Sequence, residues 1–198
     1  MVHEIPVTPL ASASVVFSDH SVLVVMLVGA NTPASSWPLK RSATLVTFDQ
    51  SDHPISTVGM GFLLVVVTPT ICNIGVGRVL IVRGAGLNLL SPEVFRQMHV
   101  SGRELTSLAL FCHVTDGKTI PLGQIKLSVT FVGWDNFHTE SVTFDMAQFD
   151  LSYNTILGPP VLAKFMAAVH YAYNTIKNPR PSGVITIKAD IYGLVHCA

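Results

Sequence analysis

Short β-prone runs separated by Gly, Pro and Asp residues follow one another along most of the chain. Two segments, 124–132 and 141–149, alternate polar and apolar residues for most of their length, which is the period of a strand with one buried face. Further runs of β-branched and aliphatic residues predict strands at 61–67, 78–82 and 184–187. The pattern therefore predicts many short strands joined by tight turns.

One hairpin is indicated by its turn residues. The β-prone segments 111–114 and 118–120 flank Thr115-Asp116-Gly117. An Asp-Gly pair between such segments is a strong short-range hairpin signal because both residues tolerate the backbone of a tight turn. We therefore interpret Asp116 as a turn residue.

Two short helices are predicted by their starting residues. Ser91 can cap a helix that begins at Pro92, with Glu93 in its first turn and Met98 near its end. A second helix is predicted at 160–169, where Pro160 precedes good helix formers. Together the elements predict a mostly β, barrel-like or sandwich-like domain with one or two short helices.

The sequence pattern divides the chain into three parts. Residues 1–46 are irregular and rich in proline, and their apolar run 21–30 suits one strand for which the sequence shows no partner. The regular β pattern occupies 47–190 and defines the predicted domain. Residues 191–198 are interpreted as a C-terminal tail.

Composition excludes several classes of protein. The 198 residues include 12 Lys and Arg and 12 Asp and Glu, so the chain has no excess of basic residues that would favour the binding of nucleic acid. Hydrophobic residues make up 49%, which argues against disorder.

The longest apolar runs, 21–30 and 61–67, are too short for a spanning helix, which needs about 20 residues. The first ten residues contain Glu4 and no Lys or Arg, unlike a signal peptide. We expect a soluble, intracellular protein without nucleic-acid or membrane partners.

Familiar catalytic and metal-binding motifs are absent from the sequence. The three cysteines, Cys72, Cys112 and Cys197, form no Cys-x-x-Cys pair, and the histidines form no His-Glu-x-x-His. Cys112 and His113 are adjacent, so on a strand they point to opposite faces. No Gly-x-Ser-x-Gly is present. We therefore predict no metal site and no cofactor.

A nucleotide-binding module is the weaker alternative suggested by glycines around a strand. Gly75 and Gly77 precede the strand at 78–82, and Gly84 and Gly86 follow it. The dinucleotide-binding pattern needs a third glycine, where this chain has Leu89. The predicted helix also starts too late to face a phosphate.

The segment 78–90, RVLIVRGAGLNLL, resembles the active-site strand of retropepsin-like aspartic proteases in the Gag-Pol polyproteins of plant gypsy-type LTR retrotransposons. Four further segments resemble that family in the same order along the chain: 47–54, 120–131, 156–167 and 183–186. The resemblance implies a closed, mostly β retropepsin-like barrel over 47–190, with the hairpin at 111–120 as its flap.

The departures from the family pattern fall on its catalytic positions. Val82 stands where the family has its catalytic Asp, Arg83 where it has Gly or Thr, and Ala85 where it has Ser. Gly84 keeps the family residue. In the closing turn, Pro159 replaces the family's Arg.

Aspartic proteases need two carboxylates that share a proton and hold a water, and in retropepsins each chain of a homodimer supplies one. Val82 can neither give nor take a proton. No Asp of this chain is followed by Ser-Gly, Thr-Gly or Gly-Gly. We therefore predict a catalytically inactive retropepsin-like domain that has no catalytic residue and a role in self-association or binding. The alternative is an active aspartic endopeptidase that processes a retroelement polyprotein with a compensating carboxylate.

The resemblance allows two kinds of partner, a second copy of the chain and a segment of peptide or polyprotein. In the family geometry, two copies of Arg83 would meet near the dimer axis. Arg keeps its charge in proteins, so we expect this residue to weaken a homodimer unless each copy finds a partner or points to solvent.

Overall fold

The computed structural model describes residues 25–28, 41–54, 64–84, 86–100, 105–106, 111–114, 117–119, 122–133, 135–148 and 152–190, and of 25–28, 111–114 and 117–119 it describes the backbone alone. The first seven strands of this part of the chain are β1 (Val25–Val28), β2 (Val65–Val67), β3 (Thr70–Ile71), β4 (Ile74–Gly75), β5 (Val79–Ile81), β6 (Leu89–Leu90) and β7 (Phe111–Val114). The others are β8 (Gly117–Thr119), β9 (Gly123–Val132), β10 (Phe137–Met146), β11 (Thr155–Leu157), β12 (Ala168–His170), β13 (Thr175–Arg180) and β14 (Gly183–Lys188). The helices are α1 (Pro92–Gln97) and α2 (Pro159–Phe165), with short 3-10 turns at Gln50–Asp52 and Tyr171–Tyr173.

A mixed sheet with the strand order β2-β5-β11-β6-β10-β9-β3-β4 curls as a half-barrel and forms the main body of the fold. Within it β5 runs antiparallel to β2 and parallel to β11. Two smaller sheets have the orders β1-β7-β8 and β12-β13-β14. The expectation of a mostly β, barrel-like fold with two short helices is confirmed.

The long hairpin of β9 and β10 shows why alternating residues formed strands. On β9 the residues Ile125, Leu127, Val129 and Phe131 are buried, while their neighbours are partly or fully exposed. The predicted strand 124–132 is confirmed. The strand predicted at 141–149 begins earlier, at Phe137, because it pairs with β9 along the whole hairpin.

Aromatic side chains fill the space between the hairpin and α2. The ring centroids of Phe131 and Phe165 lie 4.8 Å apart, edge to face. The buried ring of His138 lies 4.7 Å from Phe165. Burying each large apolar side chain stabilises the fold by roughly 1.5–3 kcal/mol. This packing seats α2 against β10 and β11.

The predicted hairpin of β7 and β8 is confirmed, with Val114 paired to Gly117. Its turn residue Asp116 lies outside the described residues. Within the apolar run 21–30 the described residues Val25–Val28 form β1, which pairs antiparallel with β7. The other residues of the run lie outside the described residues.

The helix α1 begins as predicted, with the Glu93 amide donating to the Ser91 hydroxyl at 3.3 Å. It ends at Gln97, and Met98 is its C-cap. Within the described residues no helix is long and apolar enough to cross a membrane.

The second helix is shorter than predicted. The sequence predicted 160–169, but α2 ends at Phe165 and Met166 adopts a left-handed conformation, with φ of 52°. Residues Ala168–His170 form β12 and pair with β13. A strand partner thus overrides the helix propensity of Ala167 and Ala168.

Strand β13, TIKNPR, was missed because its composition is unlike that of a central strand. It holds Lys177, Asn178 and Pro179, yet it lies between β12 and β14. Proline lacks an amide hydrogen and is typical of edges and bulges.

A buried ion pair explains how Lys177 is accepted. Its Nζ atom lies 2.6 Å from Oδ2 of Asp52 and donates to the Thr47 carbonyl at 2.8 Å. The Lys188 Nζ atom donates to the backbone carbonyl of Asp52. The hydrogen bond from Lys177 is the largest cause of a lowered pKa of Asp52. Residues 47–54, at the start of the predicted domain, are thereby attached to β13 and β14.

Candidate functional site

The segment that resembles an active-site strand is β5 with the turn that follows it. Val79, Leu80 and Ile81 are buried, and Val79 and Ile81 belong to the hydrophobic core. Strands β2 and β11 pair with the two edges of β5. At its end the Val82 amide donates to the Leu157 carbonyl at 3.0 Å. Val82 is half-buried and stands at the last point where the chain is attached to the sheet.

Beyond Val82 the chain enters a turn of exposed residues. Arg83, Gly84 and Gly86 are exposed, and Ala85 lies outside the described residues. A Cβ built at Gly84 or Gly86 meets no described atom within 4 Å, so the turn is open on that side. The Arg83 Cζ atom lies 3.8 Å from the centroid of the Tyr171 ring, a cation–π contact.

A buried asparagine connects the strands beside this turn. Asn88 is 6% exposed. Its Oδ1 atom accepts from the Gly158 amide at 3.0 Å, and its Nδ2 atom donates to the Thr143 carbonyl at 3.0 Å. Its own carbonyl accepts from the Asp145 amide at 2.8 Å. Asn88 therefore joins the end of β11 to β10 just before β6 begins.

The acid that lies within this framework is Asp145 on β10, which is 8% exposed. Its Oδ1 atom accepts a hydrogen bond from the Gln124 side chain at 2.8 Å. Burial raises the pKa of Asp145, and the Gln124 hydrogen bond partly opposes this effect. The carboxyl group thus has a neutral hydrogen-bond partner and, among the described residues, no cation that would oppose the effect of burial on its pKa.

Asp145 is displaced from the position of Val82 by the strand order. Strands β11 and β6 lie between β5 and β10, which corresponds to a backbone separation of about 14 Å at the usual strand spacing. Asp52 binds Lys177, and Glu93 binds Arg96 on α1. Asp190 lies beside β2, where its amide donates to the Val66 carbonyl at 2.7 Å. The two strands that flank β5, β2 and β11, themselves carry no acid.

The remaining predicted positions fall as follows. Pro159 is the first residue of α2 and is exposed. Cys72 is a half-buried free thiol, and the side chains of Cys112 and His113 lie outside the described residues. In the described part of the chain no three His, Cys, Asp or Glu residues gather as a metal site.

The nucleotide-binding alternative meets an obstacle in the chain order. Strand β6 separates Gly86 from α1, which begins at Pro92 and has only six residues. The glycine turn therefore does not lead into a helix N-terminus, the feature that binds phosphate in dinucleotide-binding folds.

No protein-family model matches this chain. No curated protein matches it. Among solved structures, it is similar to the retroviral protease-like domain of Ddi1 from Leishmania major, at 14% identity and a TM-score of 0.47 over 64% of this chain and 94% of that chain. EIAV protease in complex with the inhibitor HBY-793 is similar at 17% identity and a TM-score of 0.40, over 63% and 99%. A retropepsin-like aspartic protease from Rickettsia conorii is similar at 14% identity and a TM-score of 0.38, over 62% and 80%.

Sequence reasoning missed three residues of this region. Asn88 lies within the segment 78–90 that resembles the family, and it was assigned no role of its own from the sequence. A lone polar residue within the apolar run 87–90 nevertheless signals a buried hydrogen-bonding group. Tyr171 carried no local signal because its contact with Arg83 joins distant parts of the sequence. Asp145 was considered only as an acid without the family motif. It stands on a polar position of the alternating segment 141–146, so the pattern predicted it to be exposed and gave no sign of its burial.

Proposed function

We propose that this chain is a retropepsin-like domain derived from a retrotransposon polyprotein, and that it binds a peptide segment or a second copy of itself without cleaving it. The sequence resemblance over 47–187 supports the origin. The sheet order places the resembling strand β5 between β2 and β11, so its end is held in a defined position.

The observation that carries the proposal is the residue at the end of β5. The backbone of Val82 is fixed by its hydrogen bond to Leu157, and its side chain has neither a lone pair nor an ionisable proton. General acid–base catalysis needs a group within hydrogen-bond reach of the reacting atoms. Asp145, whose raised pKa would suit a general acid, lies on a strand too far from β5.

The test is a peptide-cleavage assay at acidic pH with and without pepstatin, using the full chain. We expect no pepstatin-sensitive turnover. Turnover that pepstatin blocks would overturn the proposal in favour of the alternative function, an active aspartic endopeptidase.

A gain-of-function variant sharpens this test. Val82→Asp combined with Arg83→Gly would restore the family residues at the catalytic position, so we expect proteolysis to appear. The matched control is Val82→Asn with Arg83→Gly, which adds a polar group of similar size without a carboxyl. Activity in the Asn control would show that the carboxyl is not the missing group.

Self-association is tested by sedimentation over a range of protein concentrations. If two copies of Arg83 repel each other at a shared axis, the Arg83→Gly variant dimerises more tightly than the wild type. A tight wild-type homodimer whose affinity is unchanged by Arg83→Gly would exclude this effect.

A further inference from the structure

Arg83 is held differently from Arg78 and Arg96. Arg78 donates to the Asn154 side chain, and Arg96 pairs with Glu93. The guanidinium of Arg83 instead lies over the face of the Tyr171 ring at 3.8 Å. Within the part of the chain that the structure describes, it has no acidic partner.

Stacking orders the guanidinium while leaving its hydrogens free. A guanidinium carries five N–H donors in its own plane, and a ring that contacts its face uses none of them. The ring belongs to the 3-10 turn Tyr171–Tyr173, which follows β12 directly and is attached to the three-stranded sheet. Arg83 is therefore partly preorganised, which lowers the entropy lost when it binds a ligand.

The turn around Arg83 leaves room for such a ligand. No described atom lies within 4 Å of a Cβ built at Gly84 or Gly86. Val82, the residue before Arg83, is apolar and only half-buried. A peptide segment that has one carboxylate and apolar neighbours therefore suits an exposed cation that follows an apolar residue.

We propose that Arg83, held against Tyr171, is the binding site for a carboxylate of an acidic peptide segment. This deepens the proposed function, on which it rests, by giving the bound peptide a chemical class. Arginine and carboxylate match as two parallel N–H to oxygen bonds, which are stronger than neutral hydrogen bonds. The site would thus select a negative charge at the position where the end of β5 offers a positive one.

A carboxylate suits this site better than a phosphate does. The chain has no net charge, and the turn leads into no helix N-terminus that would add backbone donors. One guanidinium can satisfy a carboxylate with two bonds, whereas phosphate sites usually gather several donors.

The experiment uses two fluorescein-labelled hexapeptides with blocked ends that differ at one central residue, Asp or Asn, between Leu and Val. Binding to the full-length protein is measured by fluorescence anisotropy at pH 7. We expect the Asp peptide to bind about tenfold more tightly, a difference of about 1.4 kcal/mol. We also expect this preference to shrink in high salt, because the contact is partly solvent-exposed.

Four variants identify the group responsible. Arg83→Gln should abolish the preference, and the matched control Arg41→Gln, which removes the same charge from another exposed position, should preserve it. Tyr171→Phe should keep the preference because the ring face remains, while Tyr171→Leu should reduce it. A thermal melt of each variant confirms that it is folded.

Several outcomes would overturn the inference. They are equal binding of the two peptides, no binding of either peptide at millimolar concentration, an unchanged preference in Arg83→Gln, and an equal loss in Arg41→Gln. Displacement of the Asp peptide by inorganic phosphate at lower concentration than by acetate would assign the site to phosphate instead. Equal binding of both peptides without cleavage would leave the proposed function intact, whereas cleavage of either would contradict that function itself.

Discussion

Two parts of the molecule that are close in sequence are built in opposite ways. The turn from Val82 to Gly84 is joined to the sheet by one backbone hydrogen bond and to Tyr171 by one stacking contact. A few residues later, Asn88 is buried and uses its side-chain oxygen, its side-chain nitrogen and its carbonyl in hydrogen bonds. Among the described residues, Asn88 thus makes more hydrogen bonds to neighbouring strands than the turn from Val82 to Gly84 does.

The comparison distinguishes residues that hold the strand ends in place from the residue whose side chain would take part in a reaction. A framework such as that of Asn88 keeps strand ends in place whatever side chain the neighbouring turn carries. The side chain of Val82 can therefore differ from an acid without loss of the surrounding architecture. The framework and a reaction are separate properties of a protein, which is why a fold does not by itself imply an activity.

The largest effect is expected from breaking the framework. Asn88→Ala leaves the Gly158 amide and the Thr143 carbonyl without their partner in a buried region. We expect the free energy of unfolding to fall by about 2–4 kcal/mol, measured by chemical denaturation. Gln148→Ala, at an exposed position, is the control and should change stability little. An effect of Asn88→Ala as small as that of the control would contradict the comparison.

The next effect concerns the buried pair that attaches residues 47–54 to the small sheet. Lys177→Met keeps the volume but leaves the Asp52 carboxylate without its closest cation. We expect the melting temperature to fall by roughly 5–10 °C at neutral pH.

The pH dependence of this pair has a defined sign. Because the pKa of Asp52 is lowered in the folded state from its ordinary 3.8, its contribution is present above that pH and is lost as pH falls through the lowered value. The difference in melting temperature between the wild type and Lys177→Met should therefore become smaller at acidic pH. A difference that increases below pH 4 would contradict this assignment.

Asp145 should show the opposite trend with a smaller amplitude. Its pKa is raised by burial, so its contribution to stability is complete below 3.8 and is lost as pH rises through the raised value. The melting temperature of Asp145→Asn should thus rise by a few degrees relative to that of the wild type when the pH is raised from 4 to 7. Parallel pH profiles for the two proteins would show that the carboxyl is not desolvated.

The smallest effect is expected in the turn. Arg83→Gln removes an exposed cation–π contact, which contributes about 0.5–1 kcal/mol. A denaturation curve should shift by no more than that amount, well below the shift of Asn88→Ala. A loss as large as that of Asn88→Ala would show that the turn is part of the framework.

The sequence predicted those elements whose stability is local or periodic. Alternation gave β9, the Ser91 cap with Pro92 gave α1, and Asp-Gly gave the hairpin of β7 and β8. It did not predict β13, because the acceptance of Lys177 within a central strand depends on Asp52, far away in the chain. The end of α2 was misplaced because β13 supplies a partner for residues 168–170.

The candidate site follows the same division. The position of Val82 at the end of a buried strand was predicted from the apolar run before it. The contacts of Arg83 with Tyr171 and of Asn88 with Gly158 join residues 88 and 70 positions apart, and no local pattern encodes them. The absence of a catalytic residue at Val82 remains a prediction that the cleavage assay tests.

The pairing of β1 with β7 has a practical consequence for anyone who shortens the chain. A version that starts at residue 47 would lack β1, so the edge of β7 that pairs with it would lose its hydrogen-bonding partner. Unpaired strand edges can pair with strands of other molecules, so we expect the truncated protein to aggregate at lower concentrations than the intact one.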